Sequence, residues 1–330
     1  MTKDDRRTLV FGYVRRPHRV WDYQVEGMRR AFAELRIPVR NLHPLPGMTF
    51  LSRALKKTRL LRNFIKIPGR SYIVPVPRLS EGNAFPICYF RDVVTWSFDC
   101  WPDKYEAWEA FFRRHRIRTA FISAKAAAEE MDRRLADTRV VWLPEAADPA
   151  EYLPHKPLVA REIVVLELGR KADAYHDLIR EHLYDRGLKH LYVGATGQNI
   201  FGSRDDLAAG LGDTKISVCF PASLTHPQRS GGLETVTHRY FESIASSCLV
   251  VGRAPSELIE LFGYNPVVEA DLADPVAQLE DLLQNLDRYQ EFVDKNYARL
   301  LEVGTWAARA KQLLEHLAEE VPPSQAERSQ

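Results

Sequence analysis

Twice along this chain a short apolar run gives way to apolar residues at helical spacing and then to a second apolar run, and that alternation limits the fold more than any single residue does. In the first half "TLVFGYV" has the length of a buried strand. "WDYQVEGMRRAFAELR" follows, with Trp21, Val25, Met28, Phe32 and Leu35 at helical spacing, and "IPVRNLHPL" is the next strand. Strand, helix and strand in that order predict a parallel sheet with right-handed crossovers. "AFPICYF", the helix "DKYEAWEAFFRRHR", the strand "TAFIS", the helix "AKAAAEEMDRRLA" and the strand "VVWLP" carry the rhythm on.

"EAADPAEYLPHKPLVAR", rich in Pro and small residues and without periodicity, interrupts it. The rhythm then restarts. "EIVVLELGR" is a strand, "AYHDLIREHLYDRG" a helix with a Gly stop, "KHLYVGATG" a strand and turn, "RDDLAAGLGD" a helix and "KISVCFPAS" a strand. A helix and strand follow in "SGGLETVTHRYFESIASSCLVVG", and "VAQLEDLLQNLDRYQEFVDKNYARLLEV" supplies one or two closing helices. The expected fold class is α/β, with two Rossmann-like doubly wound domains facing across a cleft. Residues 1–150 form the first domain and 151–318 the second, whose last helix is free to pack back on the first; 319–330 form a disordered tail. Sheets of this kind bind ligands outside the carboxyl ends of their strands.

The composition suits such a pair of cores: 45% of residues are apolar and 27% charged. No run of eighteen apolar residues exists and the N-terminus lacks a cleavage signal, so a cytoplasmic protein is expected. Cys88, Cys100, Cys219 and Cys248 lack the paired short spacing of a metal site and read as reduced, buried thiols. The net charge of +2 hides an asymmetry: residues 1–150 hold 28 Lys+Arg against 17 Asp+Glu, a balance of +11, and the remainder 18 against 27, a balance of −9. A basic half attracts anionic partners such as phosphates, acidic lipids or acidic saccharides.

Glu234 and Glu242 stand eight positions apart at the ends of a helical pattern. Val236, Tyr240, Ile244 and Cys248 form its apolar face, so a helix from about Val236 to Ser247 would hold Glu242 on the opposite face. Eight residues of helical rise separate the carboxylates by roughly 12 Å, too far for a paired acid and base on one bond. They suit two grips on one extended ligand, with the helix start between them offering backbone N–H groups to a phosphate. Such a ligand is a nucleotide sugar, its sugar hydroxyls on Glu234 and its ribose on Glu242. The plain alternative is a glutamate offsetting a helix dipole and a second one solvated on the surface.

With its flanks, the stretch resembles the retaining GT-B glycosyltransferases (family 4-like, glycosyl transferases group 1), which carry E-x7-E on a helix of the second domain before a small-residue turn and a strand. "VVWLPEAADPAEYLP" looks like that family's interdomain passage, and "VVLELGRKADAYHDLI" like its Gly-Arg strand end. "LYVGATGQNIFGSRDDLAAGLGDTKISVCFPAS" is similar to its base-binding region, and "GTWAARAKQLL", with Trp306 and Arg309, to its closing helix.

The resemblance implies a transferase moving a hexose from a nucleotide-diphosphate sugar to a saccharide or lipid-linked saccharide, with retention. Arg170 and Lys171 would meet the diphosphate with the amides near Thr237 and His238, Gly232 would lie on the sugar side, and Asn199 and Phe201 would contact the base. The chain departs from the pattern in carrying "ETVT" after the first glutamate, with Gly231 and Gly232 before it. No two aspartates are separated by one residue, so the Asp-x-Asp metal clamp is absent and no metal or other cofactor is expected.

For the acceptor the sequence offers Arg15, Arg16 and His18 after the first strand, and Asp92 in "YFRDVVTW" as a group to orient a hydroxyl or a plain turn aspartate. Residues 51–72 hold seven basic residues and no acidic one, interleaved with apolar residues. That pattern fits a peripheral contact with an anionic membrane surface on the inner face, and equally a core helix with a solvated basic side. Nucleic acid is not an expected partner. The competing functions are a nucleotide-sugar epimerase and a non-catalytic nucleotide-binding scaffold.

Overall fold

The computed structural model describes residues 9–13, 20–42, 50, 66–79, 86–152, 156–169, 171–194 and 198–319. The chain divides into two compact units, Met1–Pro144 with Trp306–Gln330, and Glu145–Thr305. Each is built on a parallel sheet with helices in the crossovers, the Rossmann-like arrangement.

The first unit carries a six-stranded sheet in the order β2-β1-β3-β4-β5-β6. Its strands are β1 (Leu9–Tyr13), β2 (Val39–Asn41), β3 (Ser71–Val76), β4 (Val93–Ser97), β5 (Thr119–Ile122) and β6 (Arg139–Trp142). Helices α1 (Val20–Glu34), α2 (Ile87–Phe90), α3 (Tyr105–His115) and α4 (Lys125–Arg134) alternate with them. Phe11, Phe32, Ile73, Trp96, Trp108 and Phe121 are fully excluded from water in its core.

Two of these strands escape a reading for alternating runs. "AFPICYF" contains the short helix α2, and the strands flanking it are "SYIVPV" and "VVTWS". Pro75 marks the first of them as a poor interior strand, since proline gives the ladder no donor. β1 pairs with β3 only as far as Phe11 and Ile73, so beyond that point one side of β3 asks for no donor.

The last helix of the described chain, here the helix at Trp306–Glu319, belongs to this first unit. The Trp306 ring lies edge-on to Trp96 with centroids 5.6 Å apart. Gly27 of α1 makes room for it, because a Cβ there would stand 2.3 Å from Trp306 Cδ1.

The second unit holds a five-stranded sheet in the order β11-β10-β9-β7-β8. The strands are β7 (Ile163–Glu167), β8 (His190–Tyr192), β9 (Thr214–Cys219), β10 (Leu249–Gly252) and β11 (Val268–Glu269). The helices are α5 (Asp173–Asp185), α6 (Arg204–Gly212), the single turns α7 (Ala222–Thr225) and α8 (Pro227–Ser230), α9 (His238–Ala245), α10 (Ser256–Phe262), α11 (Pro275–Gln284) and α12 (Gln290–Val303), which makes Trp306–Glu319 α13. One core cluster joins Leu166, Tyr240, Phe241, Ile244, Leu258 and Leu300, and another joins Val165, Ile179, Val218, Leu279 and Val293, so both sheet faces are covered. Between β9 and β10 the backbones come so close that a Cβ on Gly252 would lie 1.9 Å from the Cys219 carbonyl oxygen, and Gly252 adopts φ +147.

Helix α9 is shorter than its apolar pattern suggests, running from His238 to Ala245 instead of from Val236 to Ser247. Val236 and Cys248 are buried all the same, on the loop at either side. No described helix is long and apolar enough to cross a membrane.

Candidate functional site

The loop entering α9 is built by glycines and by two exchanged carboxylates. Gly231 and Gly232 hold φ of 58 and 79, a left-handed conformation that a side chain disfavours. Glu234 then accepts the amide of Ser256 at the start of α10 (3.2 Å), with Arg253 Nε 3.7 Å from its other oxygen. In return Glu257 of α10, buried, accepts the Thr235 hydroxyl and the Val236 amide, both at 2.8 Å. Glu234 is thus outside any helix, so the 12 Å expected from helical rise does not describe the pair. Thr237 occupies the N-cap position of α9 without capping it, and among the described residues its buried Oγ1 finds no hydrogen-bond partner.

Glu242 is not on an exposed face but almost wholly buried. Its Oε1 accepts from Arg204 Nη1 at 2.5 Å and from the Tyr152 hydroxyl at 3.1 Å, and lies 3.3 Å from His238 Nε2 one helical turn back. Arg204 also donates to Glu151 and lies over the Tyr152 ring. Burial alone would push the Glu242 pKa up; the neighbouring His238 and Arg204, with their hydrogen bonds, outweigh it and bring the pKa down to about 2. Burial lowers the His238 pKa, as does the charge of Arg204, but the charge and hydrogen bond of Glu242 outweigh them and raise it. Sequence reasoning missed Arg204, Tyr152 and Glu151, which no periodic signal links to Glu242.

The start of α9 meets the end of β7. Arg239 donates to the Leu168 carbonyl (2.8 Å) and to the Phe220 carbonyl (3.1 Å), tying the ends of β7 and β9 together. Gly169, at φ +82, passes within 3.8 Å of Arg239 Cδ measured from an added Cβ. Arg170 lies outside the described residues. Lys171 follows it, with Nζ 3.3 Å from His176 Nε2 and 4.8 Å from the centroid of the Tyr192 ring. The expected phosphate-facing groups Lys171, Thr237 and His238 therefore share one end of the second sheet.

The remaining expected residues separate. Asn199 is exposed. Phe201 is partly buried, with its ring packed against the core in the space beside Gly210. Asp92 sits just before β4, at the amino end of a parallel strand and opposite to where such sheets bind ligands, paired with Lys66 at 3.6 Å. Arg15, Arg16, His18 and residues 51–65 of the basic run lie outside the described residues. The four cysteines are buried free thiols. A group that no sequence spacing announced is Glu167, His176 and His190, at the end of β7, in α5 and on β8.

A family model described as glycosyl transferase-like matches residues 195–315. No curated protein matches the sequence. Among solved structures, the chain is similar to HepE of Anabaena in complex with UDP-glucose, with a TM-score of 0.57 at 9% identity over 94% of this chain and 99% of that one. It is also similar to sucrose-phosphate synthase of Thermosynechococcus elongatus, with a TM-score of 0.59 at 11% identity over 94% and 98%. An alpha-glucosyltransferase solved with UDP and a mismatched DNA 13-mer gives 0.54 at 10% identity over 94% and 98%. The fold is that of the GT-B glycosyltransferases: two parallel-sheet α/β domains over the full chain.

Proposed function

We propose that this chain is a glycosyltransferase that moves a hexose from a nucleotide-diphosphate sugar to a saccharide or lipid-linked saccharide acceptor, with retention and without a metal. The observation that carries the reading is the meeting of the α9 N-terminus with the end of β7 inside the second unit, where Lys171 is also found. The glycosyl transferase-like match over residues 195–315 includes α9 and both glutamates.

In this reading the diphosphate lies at the first turn of α9, against the amides of Thr237 and His238, with Lys171 and Arg170 supplying positive charge to the departing phosphate. Glu234 orients the sugar hydroxyls beside the Gly232 turn. Glu242 receives the ribose through Oε2, since Oε1 is already occupied by protein donors. Asn199 faces the base. The acceptor hydroxyl attacks the anomeric carbon on the face the phosphate leaves. The basic run 51–72 is the part of the chain suited to an anionic membrane at the cytoplasmic face.

The test is a panel of UDP-, GDP- and ADP-hexoses with saccharide acceptors, scored for nucleoside diphosphate release with and without EDTA and for the anomeric configuration of the product by NMR. Release that needs an acceptor and survives EDTA is the expected result. Absence of release together with no thermal shift by any nucleotide would sink the transferase reading and favour a scaffold; interconversion of the donor sugar without acceptor would favour an epimerase.

A further inference from the structure

Beneath Lys171 lies a set of side chains whose polar contacts agree with one arrangement of hydrogens. An ammonium group only donates, so His176 Nε2, 3.3 Å from Lys171 Nζ, is the acceptor. A neutral imidazole then carries its proton on Nδ1, and Nδ1 lies 2.5 Å from Glu167 Oε1, an acceptor only. His190 Nε2 donates to the same oxygen at 2.9 Å. Glu167, His176 and the His190 side chain are all nearly excluded from water. The ammonium is set against the Tyr192 ring, which itself stacks edge-on to His176 with centroids 4.6 Å apart.

We infer that His176 is a positioning residue for Lys171, its tautomer fixed by Glu167, so that the lysine is held in one place by a buried relay without being neutralised by it. Among the described residues no carboxylate forms an ion pair with Lys171; the nearest in this relay is one imidazole away. A directly paired lysine would have its charge offset, whereas this one keeps it and loses only its freedom of movement, which is the arrangement an anion site requires. The inference rests on the proposal that Lys171 meets the donor diphosphate.

The same three residues, Glu167, His176 and His190, lie close enough to hold a divalent cation. The proton inventory argues against that use. Coordination through His176 Nδ1 would move its proton to Nε2, where it would face the Lys171 ammonium donor to donor, while metal-bound imidazoles hold an acceptor on their far side.

Two amide substitutions separate positioning from simple filling. Asn in H176N places a polar atom near the Nδ1 position and can satisfy Glu167, but offers Lys171 no acceptor; Gln in H176Q places its carbonyl near the Nε2 position and keeps the lysine's acceptor. UDP and uridine binding would be measured by calorimetry on the full chain, with K171M for comparison. H176N and K171M should each weaken UDP by about tenfold, leave uridine alone and show no further loss when combined, while H176Q stays near wild type. Wild-type UDP affinity in H176N, or equal losses for UDP and uridine, would overturn the positioning role.

Nitrogen NMR of labelled histidine reads the tautomer independently of any ligand. A His176 protonated on Nε2, or one zinc ion per chain in the purified protein, would overturn the relay itself. A wild-type chain that binds neither UDP nor GDP would remove the donor reading and the phosphate role together, leaving the tautomer result to decide the relay.

Discussion

Arg204, the first residue of α6, reaches Glu242 in the middle of α9 with Nη1 2.5 Å from Oε1, and the pair is closed in by Tyr152. A buried carboxylate without those partners would be costly, so removing Arg204 alone would strand the Glu242 charge between α6, α9 and the 149–152 turn.

That pair sets an acid limit on the second unit. Glu242 has a folded pKa of about 2 against an ordinary carboxylate value of about 4.5, so its stabilisation is complete above the unfolded value and is lost as pH falls toward the folded one. Between pH 5 and pH 2 the loss should amount to about 3 kcal/mol from this group. Urea unfolding at a series of pH values checks it: E242Q should be less stable at pH 7 and show a flatter fall in acid. A variant whose acid profile matches wild type would show that the carboxylate is not responsible.

The two glutamates of the repeat should fail differently. E234A should lower kcat by about 100-fold with a small change in nucleotide affinity, as expected for a group that orients the reacting sugar. E242A should weaken donor binding, visible in KM and in the dissociation constant of the nucleoside diphosphate. Steady-state kinetics with calorimetry on both variants distinguishes the cases, and unimpaired kinetics in both would remove these roles.

Glu257 should behave as a support for the Glu234 loop. Its carboxylate accepts from both Thr235 and Val236, so E257A strands two buried donors and should cost about 2–4 kcal/mol, with kcat reduced beyond the loss of folded protein. Thermal melts and kinetics compared with E257Q, which keeps an acceptor, give the answer; identical behaviour of the two variants would mean that the acceptor is unimportant.

Gly252 admits no side chain. G252A would place its Cβ against the Cys219 carbonyl oxygen and strain a left-handed backbone, so the substitution should cost more than about 4 kcal/mol. Soluble expression and melting temperature measure this, and a variant that melts like wild type would contradict the close approach of β9 and β10.

Much of the fold was legible in the sequence because helical and strand periods alternate visibly through "EIVVLELGR", "RDDLAAGLGD" and "KISVCFPAS". β3 and β4 were hidden by Pro75 and by a strand that starts directly after a charged turn. The ends of α9 were misplaced because Val236 and Cys248 are buried from loops, and periodicity cannot tell a buried loop residue from a buried helical one. Within the candidate site, the glutamate spacing drew attention to α9 and to the loop that enters it. Arg204 and Tyr152, which contact Glu242, and His190, which contacts Glu167, come from elements far apart in sequence, and only the folded chain brings them together.

Because α13 belongs with the opening strands, the second unit is an insertion within the first. During synthesis the middle of the polypeptide emerges with everything it requires, while the opening segment waits for Trp306 to arrive beside Gly27 and Trp96. A chain truncated after residue 305 and released should therefore contain a protease-resistant inner portion and an outer portion still open to cleavage.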